Sequence, residues 1–242
     1  MNCTARILND ACSEGLYTFR AGVYFRSGSG ERFPDPPEQL LDTDQILKNS
    51  RSVVSGFDRD RSCFVKVYRK NGFFRTMKRL LQYPRSRRCL AAALKLQRIG
   101  VETPAVLLAS RYCLITEVLT SVQYLTECPE RARELVPLLA KLHDNGIRHG
   151  DFNLRNIYRK AEGTFGLIDL DGSRLYDGAV PRKVRFLELA RLISSYLKSV
   201  EHDKTQFPLI AADFASEYYR LTKFDLYGPR LLERVVDLVG RR

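Results

Sequence analysis

The sequence predicts an α+β fold, strands first and helices after. Between residues 16 and 118 the apolar residues come in short runs of strand length, with Gly, Ser, Asp and Pro between them. From residue 129 onward they recur at helical spacing, in segments 129–145, 181–199, 207–223 and 228–240. One stretch interrupts the helical half: residues 147–171, IRHGDFNLRNIYRKAEGTFGLIDLD, which are dense in Asp and Asn. With 242 residues, 44% of them hydrophobic, the chain has material for two small lobes or one large domain.

Taken in order, residues 1–15 have no long apolar run, which excludes a signal peptide and predicts a poorly ordered start. Residues 16–33 alternate as a hairpin with Ser27-Gly28-Ser29-Gly30 as its turn, and Pro34, Pro36 and Pro37 break the chain. Residues 45–68 read as a strand, QILKNSRSVV, a turn, SGFDRDRS, and a second strand, CFVKVY. Residues 86–99, SRRCLAAALKLQRI, form a helix closed by Gly100. TPAVLLA and YCLITEVL are two further strands. Pro129 to Asn145 is an amphipathic helix with Leu135, Leu138, Leu139 and Leu142 on one face, closed by Gly146. In 181–199 the apolar stripe is Phe186, Leu189, Ile193, Tyr196 and Leu197.

The net charge is +12, from 40 basic and 28 acidic residues. Such an excess suits an anionic partner: nucleic acid, an anionic membrane face or a phosphorylated substrate. It also serves solubility alone. From Arg61 to Val101 there are twelve Lys or Arg and no acidic residue. In 68–88 they interleave with Phe73, Phe74, Met77, Leu80 and Leu81, a pattern suited to an anionic membrane surface and equally to a solvated basic face. The six Cys form no CxxC pair and read as reduced thiols of a cytosolic protein. No stretch reaches the roughly 20 apolar residues of a membrane span.

The chemistry lies in 147–171. Asp151 is followed five residues later by Asn156, and thirteen residues after that an apolar strand ends in Asp169. This is the spacing of the catalytic half of a kinase-type phosphotransferase. Asp151 can accept a hydrogen bond from a substrate hydroxyl and orient it. Asn156 and Asp169 offer oxygen ligands to a metal that bridges phosphates. Gly150, Asn153 and Asn156 also suit plain turns; the strand-end Asp and an upstream Lys favour the catalytic reading. That Lys is Lys66, set between Val65 and Val67 so that it points away from their face, toward nucleotide phosphates. Thr116-Glu117-Val118 then stands at the hinge, where backbone groups of Glu117 and Val118 meet an adenine, and divides a first lobe, 1–116, from a second, 117–242. The nucleotide loop falls near Lys48–Ser52 and has no glycine, so its grip on phosphate must differ from the glycine-rich kind.

Together FVKVYRKNGFF, SRRCLAAALKLQRIGVETPAVL, YCLITEVL, HGDFNLRNIY, LIDLDGSRL and FLELARLISSYLK resemble the lipopolysaccharide kinase superfamily: the kinases of Kdo and heptose and the InaA-like proteins. The resemblance runs from about Lys48 to Ser199. It implies a bilobal protein-kinase-like fold, with an antiparallel sheet and a helix in the N-lobe and a mainly helical C-lobe. It also implies ATP with Mg²⁺ or Mn²⁺, and phosphorylation of a Kdo or heptose hydroxyl of the lipopolysaccharide inner core. The partners it implies are the core–lipid A glycolipid and the anionic inner membrane surface, at whose cytoplasmic face the protein would be peripheral; no nucleic acid is expected. Carried over residue by residue, Lys66 is the phosphate ligand, Asp151 the catalytic base, and Asn156 and Asp169 the metal ligands. His149 is a brace of the loop.

Three departures from protein kinases follow. The helix at 86–99 has no Glu for Lys66, so the expected counter-charge is Asp169 in the nucleotide-free enzyme. Asn153 stands where Ser/Thr kinases have a Lys, and Gly150 replaces the Arg that reads a phosphorylated loop. The last two favour a small-molecule or glycolipid acceptor. An atypical RIO-like protein kinase and a catalytically inactive kinase-fold binding module are the alternatives.

Overall fold

The computed structural model describes residues 3–29, 33, 46–58, 60–69, 83–200 and 203–240. They fall into two compact units, Met1–Gln97 with Thr103–Thr120, and Arg98–Glu102 with Ser121–Arg242.

The first unit opens with a helix where none was expected. In α1 (Cys3–Ser13) the buried residues Cys3, Ile7, Leu8 and Ala11 form one stripe, which packs beside β1 (Tyr17–Arg20). Few apolar residues suffice when they share a face, because helix stability comes mostly from packing. β1 pairs with β2 (Val23–Arg26) through a two-residue turn at Ala21-Gly22, whose φ values are 46° and 84°. Both central residues are left-handed, as a type I′ hairpin requires. The turn is therefore not Ser27–Gly30. Ser27–Ser29 follow β2, and the Ser29 hydroxyl donates to Leu107 O at 3.1 Å.

Residues 46–68 hold three strands rather than two: β3 (Ile46–Asn49), β4 (Val53–Asp58) and β5 (Cys63–Tyr68). The first turn comes early because Ser50 closes it. Its N–H donates to Val53 O at 2.9 Å, and its hydroxyl accepts from Val53 N at 3.1 Å. The expected turn residues Ser55–Asp58 pair with β5 instead, and Asp58 receives both Arg61 N and Arg61 Nη1 at 3.0 Å to form the next turn. After α2 (Arg85–Arg98), β6 (Val106–Ala109) and β7 (Cys113–Glu117) complete an antiparallel seven-stranded sheet of order β1-β2-β6-β7-β5-β4-β3. One face carries Cys63, Val65, Leu107, Leu108, Cys113 and Ile115, with Val67 packed against them. By strand alternation Phe64, Lys66 and Tyr68 take the other face. Tyr68 Oη lies 3.9 Å from Cys89 Sγ of α2, so the helix covers part of the Lys66 face. Residues 70–82 of the basic segment lie outside the described residues.

In the second unit β8 (Val122–Tyr124), β10 (Ile157–Lys160) and β11 (Phe165–Leu167) form a sheet of order β11-β10-β8. Glu102 is tied to it by Leu167 N donating to Glu102 O at 2.9 Å. The helix expected over 129–145 is a 3₁₀ segment, Pro129–Glu134, followed by α3 (Leu135–Asp144). Pro137 explains the change: it lacks an N–H, and its ring clashes with a carbonyl one turn earlier, so the α-helix cannot extend back through it. α4 (Arg182–Ser199) packs against α5 (Phe207–Thr222) and α6 (Pro229–Gly240). A short ladder, β9 (Ile147–Arg148) with β12 (Arg174–Leu175), closes the 147–175 stretch into a ring.

Candidate active site

The loop that carries Asp151 and Asn156 begins directly after β9. His149 is buried and makes both of its ring contacts inside the loop. Nε2 lies 3.0 Å from Ile168 O, and Nδ1 accepts from Asp151 N at 3.3 Å. Those two bonds require the neutral ring with its proton on Nε2. Burial holds His149 below its usual range, against the opposing pull of the Glu188 charge. Phe152 and Leu154 are fully buried and pin the middle of the loop. Asn153 caps its own turn, its Oδ1 accepting from Arg155 N at 3.0 Å.

Asn156 Nδ2 donates twice to Asp151, at 2.9 Å to its backbone O and 3.1 Å to Oδ2. The amide is thereby oriented with Oδ1 left for another partner. Ile168 N donates to Asn156 O at 2.9 Å, so the end of β11 is fastened beside Asn156 and across from His149. Asp169 comes next, in left-handed conformation (φ 55°, ψ 59°) at the start of a 3₁₀ turn over Leu170–Gly172. Asp tolerates that region better than most side chains. The second unit thus gathers Asp151, Asn156 and the strand end carrying Asp169. An amide oxygen and a carboxylate are the hard donors that Mg²⁺ or Mn²⁺ takes. Among the described residues no group of three or more His, Cys, Asp or Glu forms a metal cage, so an ion here would draw its other ligands from phosphate and water.

The remaining predicted residues lie in the first unit. Lys66 is half-buried on β5, opposite Ser55 of β4 and Leu114 of β7. Glu117 ends β7; its N–H donates to Ala105 O at 3.0 Å, and its carboxylate pairs with Arg26 at 2.8 Å. Val118 follows in the segment that leads out of that unit.

Three residues escaped the sequence reading, and all stand on α4. Glu188 is 1% exposed. Its Oε1 accepts from Gly150 N at 2.6 Å, and its Oε2 accepts from His149 N at 3.0 Å and lies 3.2 Å from His143 Nε2. Burial alone would raise the Glu188 carboxyl, but the His143 bond, the neighbouring histidines and the Gly150 N–H outweigh it and hold the group below its usual range. His143 is pushed down by burial, against Glu188, so the pair is carboxylate with neutral imidazole; Tyr218 Oη completes the ring's partners at 2.7 Å. Arg191 Nη1 donates to Gly150 O at 2.7 Å, and its Nε lies 3.5 Å from Asp151 Oδ1. Ser195 Oγ accepts from Leu154 N at 3.0 Å. The spacing 188, 191, 195 is one face of a helix, and polar residues recurring at that interval within LELARLISS were the available signal.

Gly150 has φ +91°, and a Cβ there would sit 2.1 Å from Gly172 O. The position where protein kinases carry an Arg thus admits only glycine, because the loop crosses the 170–172 turn backbone to backbone.

A model of the lipopolysaccharide kinase (Kdo/WaaP) family matches residues 45–212. The chain belongs to this family. As a member of the Kdo/WaaP family it is related to phosphotransferases, and an α+β protein-kinase-like fold is what its sheet and helices form. Serine/threonine-protein kinase rio2 of Schizosaccharomyces pombe is 29% identical over 144 residues, covering 51% of this chain and 42% of that protein. The Kdo/WaaP chain therefore spans about two fifths of the length of that curated relative. Among the described residues no helix is long and apolar enough to cross a membrane.

Proposed function

We propose that this chain transfers the γ-phosphoryl group of ATP to a sugar hydroxyl, of Kdo or heptose, in the lipopolysaccharide inner core, working at the cytoplasmic face of the inner membrane. Asp151 is the base, Asn156 and Asp169 hold Mg²⁺ or Mn²⁺, Lys66 is a phosphate ligand, and the Glu117–Val118 backbone meets the adenine. Held by Asn156 and Asp169, the metal would supply positive charge that neutralises the phosphates. The observation that carries this reading is the pair of hydrogen bonds that Asn156 Nδ2 donates to Asp151, at 2.9 and 3.1 Å, which aligns the base and frees an amide oxygen for metal. Family membership supports a lipopolysaccharide-type acceptor.

The sheet register supports a phosphate grip without glycine. Lys48 and Lys66 both pair with Ser55, from the strands on either side of it. Directly paired residues share a face, so two lysines stand on the same face as Ser55, one on each neighbouring strand, their strands about 10 Å apart. Lys48 is exposed and stands where the turn begins, so it takes the role that backbone N–H groups take in a glycine-rich loop.

The test is transfer from radiolabelled ATP to purified core–lipid A, with the product read by mass spectrometry. Asp151→Asn should keep the fold and lower kcat by about 10²–10⁴-fold. Unchanged turnover would remove Asp151 from the mechanism. The rio2 match favours a second reading, a RIO-like protein kinase. Label found on protein serine with none on glycolipid would decide for it.

A further inference from the structure

We infer that Arg191 is the cation that holds the transferring phosphoryl group, standing in from α4 for the Lys that the catalytic loop lacks. The inference rests on the kinase reading of the site. Phosphoryl transfer builds negative charge on the oxygens of the group in flight, and catalysis consists largely of placing positive charge and donors there. Within the loop, Asn153 occupies the place from which Ser/Thr kinases supply a Lys. Its side chain is neutral, and its Oδ1 is engaged with Arg155 N at 3.0 Å. The loop thus brings no cation from that position to Asp151.

α4 brings one. Arg191 lies one turn beyond Glu188, and the two grip opposite sides of Gly150. Glu188 takes its N–H at 2.6 Å and Arg191 Nη1 gives to its carbonyl at 2.7 Å. This fixes the guanidinium so that Nε faces Asp151 Oδ1 at 3.5 Å. Nη2 makes no hydrogen bond among the described residues and is the donor left over, beside the carboxylate that orients the acceptor hydroxyl. The two side chains are 29% and 53% exposed. Ion pairs this wet contribute little to stability. An arginine held so firmly at the base, with one nitrogen unused, is placed for an anion that arrives from solution.

In the step, the acceptor oxygen forms a bond to Pγ while the bond from Pγ to the β,γ-bridging oxygen breaks. The electron pair of that bond leaves with ADP, and the hydroxyl proton passes to Asp151. Arg191 Nη2 meets the charge on the moving phosphoryl oxygens, and Nε keeps Asp151 aimed at the hydroxyl.

The experiment compares wild type, Arg191→Met, Arg191→Lys and, as a control on the exposed surface of α5, Arg220→Met. Thermal shifts are measured with Mg²⁺ and ADP, and with Mg²⁺, ADP and aluminium fluoride, which mimics the planar phosphoryl group. Wild type and Arg220→Met should gain a further shift from the fluoride. Arg191→Met should keep the ADP shift and lose that increment, with Arg191→Lys between them. In steady state Arg191→Met should lower kcat by about 10²–10³-fold while KM for ATP moves only a few-fold, the cost of removing one donor to the developing charge. Guanidinium ion added to Arg191→Ala should restore part of the rate. An equal fluoride increment in wild type and Arg191→Met, or an undiminished kcat, would overturn the inference and leave the kinase reading standing. No response of wild type to ADP would overturn both.

Discussion

Replacing Glu188 by Gln tests whether α4 holds the catalytic loop in place. Glu188 accepts from the backbone N–H groups of Gly150 and His149 and faces His143 Nε2, all within 3.2 Å and away from water. In Glu188→Gln the amide oxygen keeps Gly150. The amide nitrogen then opposes His149 N–H, donor against donor. His143 can adapt by moving its proton to Nδ1 and donating to Tyr218 Oη, so one buried N–H is left unmade. An unsatisfied buried donor costs about 1–3 kcal/mol, and the bonds lost are charge-assisted, so Glu188→Gln should destabilise by about 2–3 kcal/mol. Glu188→Ala leaves two backbone donors and the histidine unmet and should cost about 3–6 kcal/mol, much of a normal folding free energy of about 5–15 kcal/mol.

Urea unfolding checks this. For m of about 2–3 kcal/mol/M the Gln variant should lower the midpoint by about 1 M with m unchanged. Its kcat should drop about 10²-fold, since a displacement of about 1 Å at the reacting groups is enough for that. Glu130→Gln, on the exposed 3₁₀ turn, should change neither. An unaltered midpoint together with unaltered turnover in Glu188→Gln would refute the account of how the loop is held.

Two further outcomes follow from the same loop. Gly150→Ala would place a Cβ 2.1 Å from Gly172 O at a φ of +91°, so the two backbones must part; it should destabilise by about 2–4 kcal/mol and abolish turnover, and wild-type melting would refute the crossing. Stability should also fall on acidification in two stages. His143 and His149 are held below their usual value, so the unfolded chain binds their protons first and stability is lost as pH drops below about 6.5, by at most about 1.4 kcal/mol per pH unit for each. Glu188, also depressed, keeps its contribution until pH falls below about 4.3 and through its own value. Melting temperature against pH checks it: His143→Gln should reduce the first slope, and a curve flat from pH 7.5 to 5 would count against both histidines.

The sequence made the loop's arrangement legible because 149–169 is nearly contiguous: the spacing of Asp151, Asn156 and Asp169 survives as the bonds joining Asn156 to Asp151 and Ile168. The apolar stripes of the later helices were equally plain. What did not show was anything carried by few residues or by polar ones. α1 rests on four buried side chains, and the second part of β4, Ser55–Asp58, reads as a turn because Ser55-Gly56 and Asp58 have turn chemistry, although pairing with β5 decides their fate. Glu188, Arg191 and Ser195 were hidden inside an apolar periodicity, since a search for a hydrophobic stripe discards the polar residues that interrupt it. Their meaning depends on the loop lying across the helix, about forty positions away in sequence.

That arrangement has a physical reason. A loop that leaves Asp169 at φ 55° holds a backbone conformation that this residue does not favour, costing on the order of 1 kcal/mol or more. Apolar packing through Phe152 and Leu154 fixes the loop's depth but not the rotation of its peptide planes. Directional bonds do that: Glu188 on the Gly150 N–H holds the peptide plane before Gly150, Arg191 on its carbonyl holds the plane after it, and Ser195 sets the next turn. The helix turns the buried Glu188 and the half-buried Arg191 and Ser195 toward the loop, where Leu would have packed at lower desolvation cost. That expense is reasonable only if the orientation of Asp151 matters more to the molecule than the stability of the helix that supports it.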